Sequence, residues 1–129
     1  MSLNVIATPI GNASDITQHA LSALKSCDIL VVEELKPARA LLKSLRLPVQ
    51  KFQMRPLNEH STLSDLNELV SLCEQETVGL ISDCGTPGFC DPGAELVRLC
   101  RERAITVRVA PGASSLMAFI AGCGRNLSR

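Results

Sequence analysis

The loop at residues 82–93, SDCGTPGFCDPG, follows an apolar run and holds three glycines and two prolines. Glycine permits and proline fixes unusual backbone angles, so such a loop lets a ligand approach the main chain closely. Asp83 lies where the apolar run ends, in a position to bind an amine, a ribose hydroxyl or a partner's backbone. We predict that residues 83–86 (Asp83, Cys84, Gly85 and Thr86) line a ligand site. The alternative is an irregular turn whose Asp91 caps the next helix.

Two further loops follow apolar runs and lead into helical patterns. Residues 8–12, TPIGN, match neither G-x-G-x-x-G nor a P-loop, so the sequence gives little support for phosphate binding there. Residues 110–115, APGASS, place Ser114 and Ser115 at the start of a helix. Small hydroxyl residues at a helix start bind a ligand carboxylate or ribose, or they cap the helix. Both alternatives stay open for this pair.

Charged residues outside these loops have a functional and a simpler interpretation. Basic side chains at spacings of three, four and three share one helical face, which is typical of a phosphate-binding stripe or of a solvated surface: Lys36, Arg39, Lys43 and Arg46. Glu33 and Glu34 end an apolar run, but adjacent residues of a strand point to opposite sides. We therefore do not expect these two carboxylates to share a proton. His60 and His19 are expected to be exposed or structural.

Composition excludes several classes of protein. The 129 residues are 46% hydrophobic and 20% charged, which is typical of one globular domain. Aromatic residues make up only 2%, which argues against modules that stack bases on aromatic side chains. Thirteen basic residues balance 13 acidic ones, so a general affinity for nucleic acid is not expected, although a local basic patch remains open.

The six cysteines indicate neither a metal site nor a disulfide scaffold. No CxxC occurs and only two histidines are present, so we predict no bound metal. Four cysteines lie in or beside apolar stretches and are predicted to be reduced core residues: Cys27, Cys73, Cys100 and Cys123. The longest apolar run, 116–121, is far shorter than the ~20 residues of a membrane span, and no basic leader precedes residue 4. A cytoplasmic protein without membrane attachment is expected.

Apolar runs and helical patterns alternate five times along the chain. The predicted strands are 3–8, 28–32, 49–54, 78–82 and 105–109. The predicted helices are 14–25, capped by Ser14 or Asp15, then 37–45, 62–76, 92–103 and 113–121. Such alternation predicts a three-layer α/β/α domain with a five-stranded parallel sheet covered on both faces. Ligands of such sheets bind at the carboxyl ends of the strands, where the three loops would meet.

Three motifs resemble the tetrapyrrole methylase superfamily, the class III S-adenosylmethionine-dependent methyltransferases. They are VIATPIGN at 5–12 with DIT at 15–17, LISDCGTP at 80–87 with DPG at 91–93, and PGASS at 111–115. Their order and their positions after strands are most similar to the branch that methylates a ribose 2′-oxygen in small-subunit ribosomal RNA. The stretch EELKPAR at 33–39 differs from the acidic-then-basic stretch usual in that branch.

This resemblance implies an amino-terminal domain, residues 1–122, that binds S-adenosylmethionine, with residues 123–129 leading toward a second domain. It implies a homodimer and an RNA substrate, and a chain of this length alone is expected to be inactive. The implied cofactor-binding residues are Ile10, Asp83, Cys84, Gly85, Thr86, Ser114 and Ser115. A corrin or porphyrin acceptor, and a cofactor-binding or assembly module without catalysis, are the alternatives. The catalytic base is not identified.

Overall fold

The computed structural model describes residues 1–88 and 92–124. Its strands are β1 (Ser2–Ile6), β2 (Ile29–Val32), β3 (Gln53–Pro56), β4 (Thr77–Leu80) and β5 (Thr106–Ala110). Its α-helices are α1 (Gln18–Ser26), α2 (Leu35–Ser44), α3 (Leu63–Gln75), α4 (Gly93–Glu102) and α5 (Ser115–Gly122). Short 3₁₀ helices cover Ala13–Asp15 and Val49–Lys51.

The strands form one sheet in the order β3-β2-β4-β1-β5, and each neighbouring pair is parallel. The predicted α/β class and five-stranded parallel sheet are therefore confirmed. Alternate residues of a strand enter different cores, since Ile29 and Val31 pack with α3 and α4 while Leu30 and Val32 pack with α1 and α2. This two-sided burial is why the β2 sequence, ILVV, is apolar without alternation.

The expectation that every strand is buried on both faces holds for β1, β2 and β4 only. The two edge strands are largely exposed: β5 has one buried residue, at Ala110, and β3 has none. The third strand also begins later than its predicted start at residue 49. Pro48 and Val49 accept i+3 hydrogen bonds in a 3₁₀ turn, and the strand starts only where Gln53 N–H donates to Asp28 at 2.8 Å. Pairing with β2 thus decides the start of β3.

Several helix starts differ from those predicted. The cap of α1 is Thr17, whose Oγ1 accepts from Ala20 N at 3.0 Å, because Ser14 and Asp15 belong to the preceding 3₁₀ turn. Helix α2 begins two residues before Pro37, which its first turn tolerates. Helices α4 and α5 begin at Gly93 and Ser115, one and two residues later than predicted. The predicted cap Asp91 lies outside the described residues.

The order of strands places a crevice at the carboxyl edge of the sheet. Strands β1 and β4 are neighbours, and the helices that follow them, α1 and α4, pack on opposite faces. Such a divergence opens a crevice between two adjacent strand ends, where ligands of parallel sheets bind. Within the described residues, none of the helices is long and apolar enough to cross a bilayer.

Candidate functional site

A cavity of about 630 Å³ lies at the carboxyl edge of the sheet, within the size range of small-molecule sites. It is lined by segments that follow four strands: Ile10, Glu33, Ser82, Asp83, Cys84, Gly85, Thr86, Ala113, Ser114, Ser115 and Leu116. All seven residues predicted from the motifs are among them. We call this cavity the strand-end pocket. A more open depression of about 700 Å³ lies along α3, near Arg55, and contains none of the motif residues.

The loop after β4 is tied to the loop after β1 by a two-way backbone bridge. Thr8 N–H donates to Gly85 O at 2.9 Å, and Gly85 N–H donates to Thr8 O at 3.1 Å. Gly85 has φ +79°, a conformation that costs an L-residue with a β-carbon about 1–2 kcal/mol. The backbone conformation at position 85, where the loop lines the strand-end pocket, therefore favours glycine over any residue with a β-carbon.

Two buried hydroxyl groups donate hydrogen bonds to carbonyl oxygens of the loop after β4. Thr8, only 1% exposed, donates from Oγ1 toward the carbonyl oxygens of Ser82 and Gly85, both at 3.3 Å. Ser82 donates from Oγ to Cys84 O at 3.0 Å and toward Gly85 O at 3.3 Å. The sequence analysis did not identify Thr8 and Ser82 as residues that hold this loop in place. A hydroxyl at the end of each apolar run was the available signal, because a buried hydroxyl needs a partner.

The loop after β5 contacts the start of α1 and the segment that follows β1. Thr17, at the start of α1, donates from Oγ1 to Pro111 O at 3.0 Å. Gly112 packs so closely that a β-carbon there would lie 2.8 Å from Ala7 Cβ. These contacts fix the segment that leads into α5 against the segment that follows β1.

The N terminus of α5 forms one wall of the strand-end pocket. Ser114 Oγ accepts from Met117 N at 3.3 Å, so this serine caps the helix while it also lines the pocket. Of the two alternatives left open for Ser114, helix capping is therefore observed, and ligand binding stays a prediction. Ser115 and Leu116 are the first residues of the helix, whose N–H groups lack intrahelical acceptors and favour an anionic group.

Glu33 is a charged residue of the pocket lining that motif reasoning did not assign. It is half-buried and lines the strand-end pocket, and its carbonyl oxygen accepts from Asn58 Nδ2 at 3.2 Å. Glu34 is exposed, is the N-cap residue of α2 and does not line the cavity. The structure therefore agrees that the two neighbouring carboxylates are directed to different surroundings. Glu33 is the one of the two that lines the strand-end pocket.

The predicted basic stripe lies apart from the pocket lining. Helix α2 buries Ala38 and Leu42, and its cationic side chains are exposed: Lys36, Arg39 and Lys43. Arg46, two positions beyond the end of the helix, is exposed as well. His19 and His60 are also exposed, as expected, and His60 Nε2 lies 3.5 Å from Glu59.

Five cysteines fall within the described residues, and all five are free thiols. Cys27, Cys73 and Cys100 are buried, as predicted, and burial raises the pKa of the Cys27 thiol. Cys123 is a free thiol, as predicted, but the prediction that it lies in the core is wrong. It is exposed at the end of α5, where its Sγ donates to Ile120 O at 3.1 Å. Cys84 is the exposed thiol that lines the strand-end pocket.

The fold and the strand-end loops are those of a known family. A model of the tetrapyrrole (corrin/porphyrin) methylases matches residues 2–129, so the chain belongs to that family. The resemblance inferred from the three motifs is confirmed.

The chain is similar to curated proteins that share one name. The chain is 38% identical over 122 residues to ribosomal RNA small subunit methyltransferase I of Leptospira biflexa, covering 95% of this chain and 50% of the relative. It is 36% identical to the protein of the same name from Escherichia coli O157:H7, again over 95% of this chain but 42% of the relative. The chain thus spans half or less of the length of these curated relatives.

Solved structures share the fold. A uroporphyrin-III-C-methyltransferase from Thermus thermophilus superimposes with a TM-score of 0.67 at 20% identity, covering 99% of this chain and 54% of that chain. A cobalamin synthesis related protein from Corynebacterium diphtheriae gives a TM-score of 0.65 at 17% identity, covering 99% of this chain and 60% of that chain. At these identities the likeness establishes the architecture alone.

Proposed function

We propose that the strand-end pocket binds S-adenosylmethionine and that residues 1–122 form the cofactor-binding domain of a methyltransferase. One observation carries the proposal: seven residues from three separate motifs line a single pocket, in a chain that belongs to the tetrapyrrole methylase family. We further propose that the methyl acceptor is a ribose hydroxyl of small-subunit ribosomal RNA. The name shared by the curated relatives supports this acceptor.

The residues present suit the chemical groups of this cofactor. The N terminus of α5, with Ser114 and Ser115, suits a carboxylate, because helix N–H groups and the helix dipole favour anions. Asp83 suits an ammonium group or ribose hydroxyls, and Ile10 supplies apolar surface. The buried hydroxyls of Thr8 and Ser82 keep the carbonyl groups of the β4 loop occupied and the loop in place.

The cofactor supplies an already activated methyl group on a sulfonium. The protein therefore needs no nucleophile of its own, and its contribution is to hold the donor and the acceptor in line. The described pocket fits that role, since the loops after β1 and β4 are held together by hydrogen bonds between Thr8 and Gly85. A ribose hydroxyl loses its proton when it accepts the methyl group, so a base near the acceptor would assist.

Residues 123–129 are proposed to lead into a second domain that completes the cleft. Helix α5 ends at Gly122, and residues 125–129 lie outside the described part of the chain. A homodimer and a cytoplasmic location are also proposed. The exposed apolar side chains of α5, Leu116, Met117 and Phe119, support a further domain or copy packing there.

Cofactor binding is expected to protect Cys84 from alkylation. In a variant with Cys90→Ser and Cys123→Ser, Cys84 is the exposed thiol among the described residues, since the remaining three are buried. With S-adenosylmethionine at about ten times its Kd, only about a tenth of the pocket is free, so labelling by a maleimide should slow about tenfold. Mass spectrometry of the labelled chain measures the rate.

The matched control carries Cys84→Ser and Cys90→Ser and leaves Cys123 exposed, outside the pocket lining. Its labelling rate should not respond to the cofactor. Equal labelling of Cys84 with and without saturating S-adenosylmethionine contradicts binding in this pocket.

RNA contact through the basic stripe is tested by salt dependence. Each phosphate contact contributes a slope of about 0.7 to the dependence of log K on log salt for single strands. Lys36→Ala with Arg39→Ala should therefore weaken binding of a ribosomal RNA fragment and lower the slope by about 1.4. Filter binding at several salt concentrations measures it. The charge-matched control, Arg101→Ala with Arg108→Ala, removes two exposed cations elsewhere. An equal loss in both variants contradicts a specific stripe.

A further inference from the structure

Two walls of the strand-end pocket are joined by a hydrogen bond from a side chain outside the pocket lining. Strands β1 and β5 are neighbours, and the segments that follow them contribute Ile10 on one side and residues 113–116 on the other. Thr17, at the start of α1, donates from Oγ1 to Pro111 O at 3.0 Å, although Thr17 does not line the pocket. This bond therefore links the segment that carries Ile10 to the loop after β5.

The loop after β5 has few other polar anchors. Ala110 O accepts from Ala7 N–H at 3.0 Å where the strand ends. Within the described part of the chain, the bond from Thr17 is the hydrogen bond that joins residues 111–113 to another segment. Pro111 has no N–H with which to add another. The placement of this loop therefore depends on the Thr17 hydroxyl as well as on packing.

The Thr17 hydroxyl makes two hydrogen bonds that call for a donor and an acceptor on one atom. Oγ1 accepts from Ala20 N at 3.0 Å, which caps α1, and it donates its proton to Pro111 O. A hydroxyl has one donor and two acceptor lone pairs, whereas an ionised carboxylate only accepts. Thr17→Asp would therefore keep the cap and lose the link to the loop, and Thr17→Ser would keep both.

We propose that Thr17 is a positioning residue of the cofactor site, whose hydroxyl holds the loop after β5 where residues 113–116 line the strand-end pocket. Binding groups keep their geometry when residues behind them are themselves fixed by hydrogen bonds. The DIT stretch at 15–17 thereby has a function in binding although it lies outside the pocket lining. This inference rests on the proposed function, because the effect of Thr17 is measured as affinity for S-adenosylmethionine.

The test measures the Kd of S-adenosylmethionine by titration calorimetry, and the melting temperature, in three variants at position 17. Loss of the link should weaken binding about fivefold in both Thr17→Asp and Thr17→Ala, the size of one net hydrogen bond. Thr17→Ser should restore binding to within about twofold of the wild type. Thr17→Ala should also melt at a lower temperature because it loses the cap, whereas Thr17→Asp should melt close to Thr17→Ser.

Thr62→Ala is the matched control for the loss of a helix cap. Thr62 caps α3 in the same way, since its Oγ1 accepts from Asp65 N at 3.1 Å, and it does not line the strand-end pocket. Thr62→Ala should lower the melting temperature as Thr17→Ala does, but it should leave the Kd of S-adenosylmethionine at the wild-type value.

The outcomes separate this inference from the proposed function. Wild-type affinity in Thr17→Asp overturns the positioning role, since capping alone would then suffice. A loss in Thr17→Ser as large as in Thr17→Ala, or an equal loss of affinity in Thr62→Ala, overturns it as well. Each of these results leaves the proposed function intact. Failure of the folded wild-type chain to bind S-adenosylmethionine overturns the proposed function and this inference with it.

Discussion

Gly85→Ala is expected to weaken the binding of S-adenosylmethionine about tenfold. Gly85 has φ +79°, and a β-carbon in that region costs about 1–2 kcal/mol, where 1.4 kcal/mol equals a factor of ten. Its N–H and C=O both form hydrogen bonds with the backbone of Thr8. The loop can therefore relieve the strain only by breaking these two hydrogen bonds, which shape the pocket. Titration calorimetry gives the affinity, and thermal unfolding gives the accompanying loss of stability.

Gly88→Ala is the matched control for this substitution. Gly88 has φ +95°, so alanine is strained there as well, and among the described residues other than its chain neighbours no atom lies within 4 Å of the added β-carbon. Gly88 does not line the pocket. We expect Gly88→Ala to lower stability but to leave the affinity near that of the wild type. Equal affinities for Gly85→Ala and Gly88→Ala would show that the geometry at Gly85 does not shape the binding site.

Gly112→Ala is expected to have the second large effect. The new β-carbon would lie 2.8 Å from Ala7 Cβ, a separation that requires the two segments to move apart. Ala7 is 1% exposed and donates its N–H to Ala110 O at 3.0 Å, so we expect the loop after β5 to shift rather than Ala7. Such overpacking costs about 1–3 kcal/mol. Displacement of the loop moves Ser114 and Ser115, so cofactor affinity should fall together with the melting temperature.

A second substitution separates steric conflict from other causes. Ala7→Gly removes the carbon with which the new side chain would collide. The double variant Ala7→Gly, Gly112→Ala should therefore bind more tightly than Gly112→Ala alone, although Ala7→Gly by itself costs about 0.5–1 kcal/mol of stability. This non-additivity is what contacting residues show in a double-mutant cycle. Strictly additive losses would mean that the two segments do not conflict.

The central strands of the fold are readable from local sequence. Runs such as ILVV in β2 are apolar throughout because both faces of the strand are buried, and glycine and proline separate the elements. Edge strand β3 is different. It has no buried residue, and its start depends on a hydrogen bond from Gln53 to Asp28, which is a tertiary contact. Local propensity at residues 49–54 does not contain that information.

The candidate site likewise contains residues that the sequence predicts and residues that it does not. Asp83, Gly85 and Ser114 lie in loops that follow predicted strands, so both their position and their grouping are predictable. The position of Glu33 in the pocket is not predictable in this way. Alternation along a strand places Glu33 and Glu34 on opposite sides of the sheet but does not show which side holds the pocket. The partners of the Thr8 hydroxyl are carbonyl groups 74 and 77 positions away, and no local pattern identifies such bonds.

The central claim is that the strand-end pocket binds S-adenosylmethionine, and titration calorimetry on this chain tests it most directly. Saturable binding at one site, weakened in Gly85→Ala and preserved in Gly88→Ala, is the predicted result. If the folded wild-type chain shows neither heat in calorimetry nor retention of S-adenosylmethionine in equilibrium dialysis, the claim is contradicted.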